Sequence, residues 1–481
     1  MRQGILEEFG PLFAPKTVAV VGASTRSATL PNLFIRRIRE FGFTGEIYPI
    51  HPSADAIDGL KAYKSLGDTP KPVDYAYIAI AAAQVAPLLV AGKGRVRFAQ
   101  VISSGFGEVD EGRALQEELA SAARAAGMRL IGPNCLGIYT PRGHVTFAEV
   151  GSRELGSVGI ISQSGGLGTD IIRRGHARGL QYSGLITVGN CADVEPNELL
   201  QFYLADPQTR VVGMYIETAK DGRKLFEILR EARGRKPVVI LKGGRTKQGL
   251  LAAASHTGSL AGDERVWLAL ARQTGCVLVD TLDAFIDALL IFQFLTPHRQ
   301  HPLQRLVLFG NGGGTSVLAT DYYARLGLDV LPFDRPAIGA LAALQLPPGT
   351  SITNPVDCPV GTLQQENGRV AEKILDIIYA QGAPDALVMH LNLSAFVGRT
   401  SDEVLDNLVQ AALRVQERHP GRAHFVLVLR SDGDPLLEER KRAFRSTANA
   451  LGIPVYEEMA NAGIALAALA SHERFLHARA T

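Results

Sequence analysis

Short apolar runs alternate with helical stretches along the chain, and this alternation limits the possible folds more than any other feature. Runs typical of buried strands include Thr17–Gly22, Ser157–Ile161 and Arg305–Phe309, and each is followed by a turn rich in small residues and then by a helical pattern. Strands that alternate with helices predict doubly wound parallel sheets, whose ligands bind at the C-terminal ends of the strands. The pattern restarts twice, so the sequence predicts an α/β fold of three consecutive domains: 1–148, 149–295 and 303–481.

Bulk properties exclude several classes of protein. The chain has 481 residues and a formal net charge of +2, which gives no reason to expect nucleic acid or an anionic membrane as a partner. The longest apolar stretch, near 284–295, contains Asp287 and Gln293 and is shorter than the roughly 20 residues that span a bilayer. We therefore expect neither a nucleic-acid nor a membrane partner.

Cysteine usage and the first residues bear on the compartment. The four cysteines are far apart and form no CxxC pair, which disfavours a zinc site or a disulfide framework and is typical of a reducing cytosol. Residues 1–8 have no long apolar core, so no signal peptide is expected. The sequence predicts a cytoplasmic protein without a metal site.

The turn after the first strand is a candidate phosphate site. Gly22 permits a tight turn, and Ser24, Thr25 and Arg26 offer hydroxyl, N–H and guanidinium donors. The turn lacks the GxGxxG pattern, and the second strand ends at His51 without the acidic residue that usually binds the ribose of NAD. Both absences disfavour NAD, and another nucleotide-like ligand remains as the candidate. A domain of this type that binds no ligand is the alternative.

Two later loops, 103–108 and 132–137, are predicted at the same edge. They contain polar groups, Ser104 and Asn134 among them, that could line a reacting centre. No basic residue is near Cys135 in sequence, so we expect this side chain to pack rather than react.

The second domain offers an anion site and a strand-end carboxylate. Ser164, Gly165 and Gly166 precede a helix, where free N–H groups and the helix dipole attract anions; an ordinary capped helix is the alternative. Glu217 ends an apolar strand and could accept the N–H of an imidazole, leaving the other ring nitrogen as a nucleophile. Pairing of Glu217 with Lys220 or Arg223 is equally compatible with its position.

His256 lies in a run of small residues, Ala254–Gly262. Such a loop can move and can approach other backbones, which suits a nucleophile that receives a group at one place and delivers it at another. A surface histidine without a role is the alternative. In the third domain, Gly310–Thr315 is a glycine-rich turn into a helix, and for it and for Asn354–Asp357 we expect a docking or packing role.

Taken together, these motifs resemble those of one family. The stretches Val20–Ser24, Gly132–Gly137, Ser162–Gly168 and Ser255–Gly262 are similar to motifs of the alpha subunit of the ADP-forming (NDP-forming) acyl-CoA synthetases, relatives of succinyl-CoA synthetase. The resemblance covers essentially the whole chain. It implies a Rossmann-like CoA-binding domain followed by two flavodoxin-like ligase domains.

The resemblance also implies a reaction and roles. The family converts an acid, CoA and ATP into acyl-CoA, ADP and phosphate through acyl phosphate and phosphohistidine. In this chain His256 matches the phosphorylated histidine, Glu217 the carboxylate that orients it, and the helix start at Ser164, Gly165 and Gly166 the phosphate site. The residues expected to bind CoA are Gly22, Ser24, Thr25, Arg26, Pro52, Ser104 and Asn134.

The chain departs from the family in two respects that leave alternatives open. His51-Pro52-Ser53 stands where the family usually has Asn-Pro-Lys, and no Walker A or ATP-grasp sequence occurs. We therefore expect ATP and Mg²⁺ to bind through a separate ATP-grasp beta subunit, in a heterotetramer. The alternatives are a non-catalytic CoA-binding regulator or scaffold and, less well supported, an NAD-linked oxidoreductase.

Overall fold

The computed structural model of the chain describes residues 2–26, 28–249, 251, 263–398, 402–421 and 423–479. They belong to two compact units, Met1–Phe285 and Ile286–Thr481. Both units consist of largely parallel sheets with helices between successive strands, which confirms the predicted α/β class. The described residues of the first unit form two large sheets and a two-stranded ribbon, and those of the second unit form one sheet. The division into three domains stays a prediction.

The first sheet of the first unit is entirely parallel, in the order β2-β1-β5-β6-β7. Its strands, with a small antiparallel ribbon formed by β3 and β4, are β1 (Thr17–Val21), β2 (Glu46–Ile50), β3 (Ala56–Ile57), β4 (Leu60–Lys61), β5 (Val73–Ile78), β6 (Val96–Val101) and β7 (Arg129–Ile131). The helices are α1 (Arg2–Phe13), α2 (Leu30–Glu40), α3 (Ala82–Ala91) and α4 (Arg113–Ala125). Strand β1 is buried along its whole length, because helices cover both faces of a parallel sheet.

The second sheet has seven strands in the order β14-β13-β12-β10-β11-β8-β9. They are β8 (Ile138–Thr140), β9 (Val145–Thr146), β10 (Val158–Ser162), β11 (Tyr182–Thr187), β12 (Val211–Ile216), β13 (Val238–Lys242) and β14 (Val277–Val279). The intervening helices are α5 (Gly165–Arg178), α6 (Pro196–Ala205), α7 (Gly222–Ala232) and α8 (Glu264–Thr274).

One edge of this sheet departs from the predicted parallel arrangement. Strand β8 pairs antiparallel with both β11 and β9, so the sheet is parallel except at this edge, whose two strands the sequence analysis did not predict. Residues 138–146 also fall within the range predicted for the first domain, yet they extend the second sheet. A short hairpin can join antiparallel strands, whereas a parallel crossover needs a dozen or more residues.

Helix α1, which the sequence analysis did not predict, packs between the two sheets of the first unit. The Phe13 ring stacks on Phe202 of α6 with centroids 4.4 Å apart, and Phe9 lies 5.7 Å from Phe98 of β6. The guanidinium of Arg129 binds Glu8 of α1 and also Asp193 and Glu198, at 3.0 and 2.8 Å. These contacts join the segments into one compact unit.

We expect Arg129→Met to lower the free energy of unfolding by about 1–3 kcal/mol, because three carboxylates lose their shared partner. Burial lowers the pKa of the guanidinium, but its hydrogen bonds to Glu198 and Asp193 outweigh that effect and raise it. Chemical denaturation of the full chain measures the change. Arg223→Met, which removes an exposed pair with Glu227, is the control with an expected loss below about 0.5 kcal/mol, and equal stability of both variants contradicts the assignment.

The second unit contains one parallel sheet in the order β16-β15-β17-β18-β19. Its strands are β15 (Leu306–Gly310), β16 (Val356–Asp357), β17 (Ala386–Asn392), β18 (His424–Arg430) and β19 (Val455–Tyr456). The helices are α9 (Leu282–Phe294, which contains the division between the units), α10 (Gly313–Arg325), α11 (Arg335–Ala342), α12 (Val360–Leu363), α13 (Val370–Ile377), α14 (Asp402–Arg418), α15 (Pro435–Ala450) and α16 (Met459–His477). Within the described residues of the chain, we find no helix with the length and apolar character needed to cross a bilayer.

The packing role expected for Asn354 is confirmed. This buried amide donates to the carbonyls of Leu306 and Leu331, at 2.8 and 2.9 Å, and accepts the N–H of Leu308. Asp357 accepts the N–H of Gly312 at 2.8 Å and thereby holds the glycine-rich turn before α10.

Candidate active site

The turn from β10 into α5 presents backbone N–H groups at the end of the second sheet. Ser164 is the N-cap of this 14-residue helix, and its hydroxyl accepts the N–H of Leu167 at 3.3 Å. The first intrahelical bond is from Gly168 N–H to Ser164 O, so the N–H groups of Gly165 and Gly166 precede it. Together with the positive end of the helix dipole, they form a suitable site for a phosphoryl group.

Glu217 follows β12 and is held by its neighbours. The Tyr215 hydroxyl donates to Glu217 Oε1 at 2.9 Å, while Gln163 Oε1 accepts the N–H groups of Glu217 and Thr218 at 2.5 and 2.9 Å. Strands β10 and β12 are hydrogen-bonded neighbours, with Ser162 opposite Tyr215. The register therefore brings the start of α5 and the Glu217 carboxylate to the same edge.

The alternative partners of Glu217 are engaged elsewhere. Lys220 donates to the carbonyl of Cys191 at 2.5 Å, and Arg223 pairs with Glu227 at 3.2 Å. The carboxylate of Glu217 thus faces the cleft with Tyr215 as its donor, which leaves acceptor capacity for an incoming N–H group.

A cleft of about 520 Å³ lies between these groups and the edge of the first sheet. Its lining residues come from both sheets of the first unit: Ile102, Asn134, Cys135, Leu136, Gln163, Ser164, Gly165, Gly166, Leu167, Gly189, Asn190, Tyr215 and Glu217. The structure therefore brings together five of the residues singled out from sequence: Asn134, Ser164, Gly165, Gly166 and Glu217.

The other candidate CoA-binding residues are placed along the edge of the first sheet and do not line this cleft. Gly22 has φ +99°, and a β-carbon there would lie 2.2 Å from the carbonyl oxygen of Ala79, so only glycine fits between the ends of β1 and β5. Asn32 accepts the N–H of Ser24 at 2.8 Å, and the Ser24 hydroxyl accepts the N–H of Arg26 at 3.1 Å. The side chains of Thr25, Arg26, Pro52 and Ser104 are exposed.

A hydrogen-bonded pair connects the two sheet edges at the cleft. Glu108, in a loop after β6, accepts the side-chain N–H of Asn190 at 2.5 Å and the N–H of Phe106 at 3.1 Å. Burial raises the pKa of Glu108, but the hydrogen bond from Asn190 and those from backbone N–H groups outweigh it, and the net pKa is lowered. A charged Glu108 therefore fixes the relative position of these two loops.

Cys135 lines the cleft without the properties of a nucleophile. The side chain is buried, and desolvation raises the pKa of its thiol to about 12. At neutral pH the group is an uncharged thiol, which confirms that Cys135 packs rather than reacts.

His298, His424 and Glu473, in the second unit, deserve consideration as metal ligands because their donor atoms lie within 4.8 Å of one another. The two imidazole rings are stacked, however, with centroids 4.0 Å apart and planes at 17°, so their in-plane lone pairs run side by side and do not converge. Glu473 accepts the N–H groups of His298 and Leu303 at 2.6 and 2.7 Å and bonds His424 Nε2 at 2.7 Å. The cluster acts as a structural network that holds the segment before β15.

Several cleft residues had no role in the sequence analysis. Tyr215 precedes Glu217 by two positions, so both side chains emerge on one face of an extended chain, and this periodicity could have identified it. The glycine-rich sequence 242–245 is typical of a turn, but Lys242 is the buried last residue of β13. The loop that carries His256 lies outside the described residues.

Comparison with known protein families identifies two domains in this chain. Residues 16–141 match the family model of a CoA binding domain, and residues 155–292 match that of a succinyl-CoA ligase like flavodoxin domain. The two domains in this order, with the cleft between their sheet edges, define an acid–thiol ligase that uses CoA as a substrate.

Similar proteins of known function identify the type of ligase more closely. The chain is 32% identical over 460 residues to the alpha subunit of acetate–CoA ligase [ADP-forming] II of Pyrococcus furiosus, covering 95% of this chain and 96% of the relative. It is 34% identical over 346 residues to the acetate–CoA ligase [ADP-forming] of Methanocaldococcus jannaschii, with 71% of this chain and 48% of the relative covered. The solved acetyl-coenzyme A synthetase 1 of Ca. Korarchaeum cryptofilum, in complex with phosphate and ADP, has a TM-score of 0.82 and 28% identity, with 98% of each chain covered.

The chain belongs to the family of ADP-forming acyl-CoA ligase alpha subunits. The family resemblance, the fold class and the enzyme class predicted from sequence are confirmed. The enzymatic interpretation is favoured over the non-catalytic regulator, and an alpha subunit implies a partner subunit.

Proposed function

We propose that this chain is the alpha subunit of an ADP-forming acyl-CoA synthetase that acts through acyl phosphate and a phosphohistidine at His256. The supporting observation is the edge of the second sheet. The Glu217 carboxylate and the free N–H groups at the start of α5 line one cleft, and β13, the last strand before the His256 loop, is hydrogen-bonded to β12 with Lys242 opposite Ile216.

The reaction divides into steps that these groups can support. A nitrogen of His256 attacks the γ-phosphorus of ATP, and ADP leaves. A carboxylate oxygen of the organic acid then attacks the phosphorus of phosphohistidine, which forms acyl phosphate and frees the imidazole. Finally the CoA thiolate attacks the acyl carbon and phosphate leaves. Phosphoryl transfer of this kind depends on positioning and on preorganised positive groups.

Each cleft residue has a role in this scheme. Gly165 and Gly166, with the hydroxyl of the N-cap Ser164, hold the phosphoryl oxygens through the start of α5. Glu217 accepts an N–H of His256 and so directs the other ring nitrogen to phosphorus. CoA binds along the edge of the first sheet through Gly22, Ser24, Thr25, Arg26, Pro52 and Ser104, with Asn134 at the entrance to the cleft.

A separate ATP-grasp beta subunit supplies ATP and Mg²⁺ in this proposal, and the two kinds of chain form a heterotetramer in the cytoplasm. The Methanocaldococcus jannaschii relative supports a separate second part of the enzyme, because the alignment covers 71% of this chain but only 48% of that longer relative. No Walker A sequence is present in the chain itself.

Phosphorylation of His256 tests the proposal directly. The purified chain is incubated with Mg-ATP, with and without an ATP-grasp chain that co-purifies with it, and the peptide containing His256 is analysed for acid-labile phosphate by mass spectrometry. We expect phosphate only when the partner is present. A stable complex that leaves His256 unmodified overturns the mechanism, and phosphorylation of the isolated chain overturns the two-subunit arrangement.

A further inference from the structure

Lys242, at the C-terminal end of β13, is a buried ammonium group whose position the reaction scheme leaves unexplained. Only 6% of the residue is exposed. Its Nζ donates to the carbonyl oxygen of Glu217 at 2.8 Å and also to the carbonyl oxygen of Gly243. The same Nζ lies 5.5 Å from the centroid of the Trp267 ring, within range of a cation–π interaction.

The groups around Lys242 define its electrostatic setting. Among the described residues, Nζ of Lys242 forms hydrogen bonds with carbonyl oxygens and faces an aromatic ring. None of the ion pairs found among these residues includes Lys242. Glu217, which follows the neighbouring strand β12, stabilises the ammonium, whereas Arg245 opposes it. Arg245 is itself paired with Asp280 and lies 3.9 Å from Glu264 of α8.

Burial makes this charge unfavourable for the fold. Desolvation lowers the pKa of Lys242 to about 8, from the usual 10.5. An apolar side chain of similar length would fill the space without this cost. A costly charge bonded to the backbone of Glu217, which lines the cleft, points to a role in the chemistry there.

The hydrogen bonds show what the ammonium group positions. By binding the carbonyls of Glu217 and Gly243, it joins the ends of β12 and β13, and Gly243 N–H completes the connection to Ile216 O at 2.9 Å. The fit is close, since a β-carbon at Gly243 would lie 2.9 Å from the Tyr215 hydroxyl. Lys242 thus fixes both the backbone of Glu217 and the start of the segment that leads to His256.

We propose that Lys242 is a positioning residue for phosphoryl transfer: it holds Glu217 at the cleft and offsets the negative charge of that carboxylate when a phosphoryl group enters. This inference rests on the proposed role of His256 and Glu217. A phosphoryl dianion beside an unbalanced carboxylate is repelled, and a fixed cation that interacts with the carboxylate reduces the repulsion.

Lys236 provides a matched control. It precedes β13, and its Nζ donates to two backbone carbonyls, those of Tyr203 and Asp206. Both lysines therefore hold backbone through two carbonyls, but Lys236 lies at the opposite edge of the sheet from the cleft. A purely structural role predicts similar effects of the two substitutions on activity.

The kinetic test uses the complex of the full chain with its partner. We expect Lys242→Met to slow formation of phosphohistidine by about 10- to 100-fold with little change in the KM for ATP, while Lys236→Met stays within about twofold. The wild-type rate should fall as pH rises through about 8, because the ammonium is lost. Lys242→Arg should retain part of the activity and move this fall to higher pH, since a guanidinium stays charged.

Trp267 gives a readout that does not depend on activity. It is the only tryptophan of the chain, so its fluorescence in the isolated full chain reports on the neighbouring ammonium. We expect a transition with a midpoint near pH 8 in the wild type and in Lys236→Met, and none in Lys242→Met. Equal phosphorylation rates in the two methionine variants, or a wild type without the transition, overturn the inference while the phosphohistidine mechanism stands. A wild-type complex that forms no phosphohistidine overturns both.

Discussion

The His256→Ala variant is expected to lose overall turnover by a factor of at least about 10³ while it still binds CoA. The imidazole is the proposed phosphoryl carrier between ATP and the organic acid, and alanine offers no nucleophile. In the proposed scheme CoA binds through groups of the first sheet, and the substitution at position 256 removes none of them. Acyl-CoA formation by the complex measures the first effect, and calorimetric titration with CoA measures the second.

A second histidine serves as the control for this substitution. His176 is exposed in the last turn of α5, at the opposite end of the helix from the cleft. His176→Ala should therefore keep turnover within about twofold of the wild type. If His256→Ala retains a tenth of the activity or more, the phosphohistidine mechanism is wrong.

The sequence predicts the parallel core of the fold well because its signal is local. Buried parallel strands are nearly continuous apolar runs, so Thr17–Val21 and Val211–Ile216 stand out from their surroundings. The antiparallel edge at β8 and β9 carries no such signal. Its strands have three and two residues, and they are strands only because β11 offers an open edge for pairing.

Helix α1 escaped prediction for a related reason. Its aromatic residues Phe9 and Phe13 are buried against partners that follow far along the chain, Phe98 and Phe202. Pro11 also lies inside the helix, which weakens the local helical signal. Tertiary packing decides such a segment, and a single sequence does not display it.

The candidate site also contains residues that local sequence rules identify and residues whose role only the tertiary structure reveals. Strand-end and helix-start rules identified Glu217 and Ser164, because parallel strands collect functional groups at one edge. The contact of Lys242 with Glu217 depends on the register between β12 and β13, which only the structure supplies. The glycines that follow Lys242 are typical of a turn, although the Lys242 side chain is buried in the structure.

The Glu217→Gln variant is expected to form phosphohistidine about 10²- to 10³-fold more slowly than the wild type. Glutamine keeps the size of the side chain and can still accept the hydrogen bond that Tyr215 donates at 2.9 Å, so the fold should be unaffected. What is lost is the negative charge that favours the protonated, phosphorylated imidazole. Rapid-quench measurement of phosphate on the His256 peptide gives the rate.

Two further variants separate charge from position at Glu217. Tyr215→Phe removes the donor but keeps the carboxylate, and we expect a loss of only about 5- to 10-fold, because Gln163 still binds the backbone of Glu217 at 2.5 Å. Glu227→Gln, on the exposed face of α7, should have no effect beyond about twofold. If Glu217→Gln is as active as Glu227→Gln, another group orients the imidazole. The proposed role of Lys242 in offsetting the charge of the Glu217 carboxylate is then wrong as well. If Tyr215→Phe is instead the more damaging substitution, the placement of the carboxylate matters more than its charge.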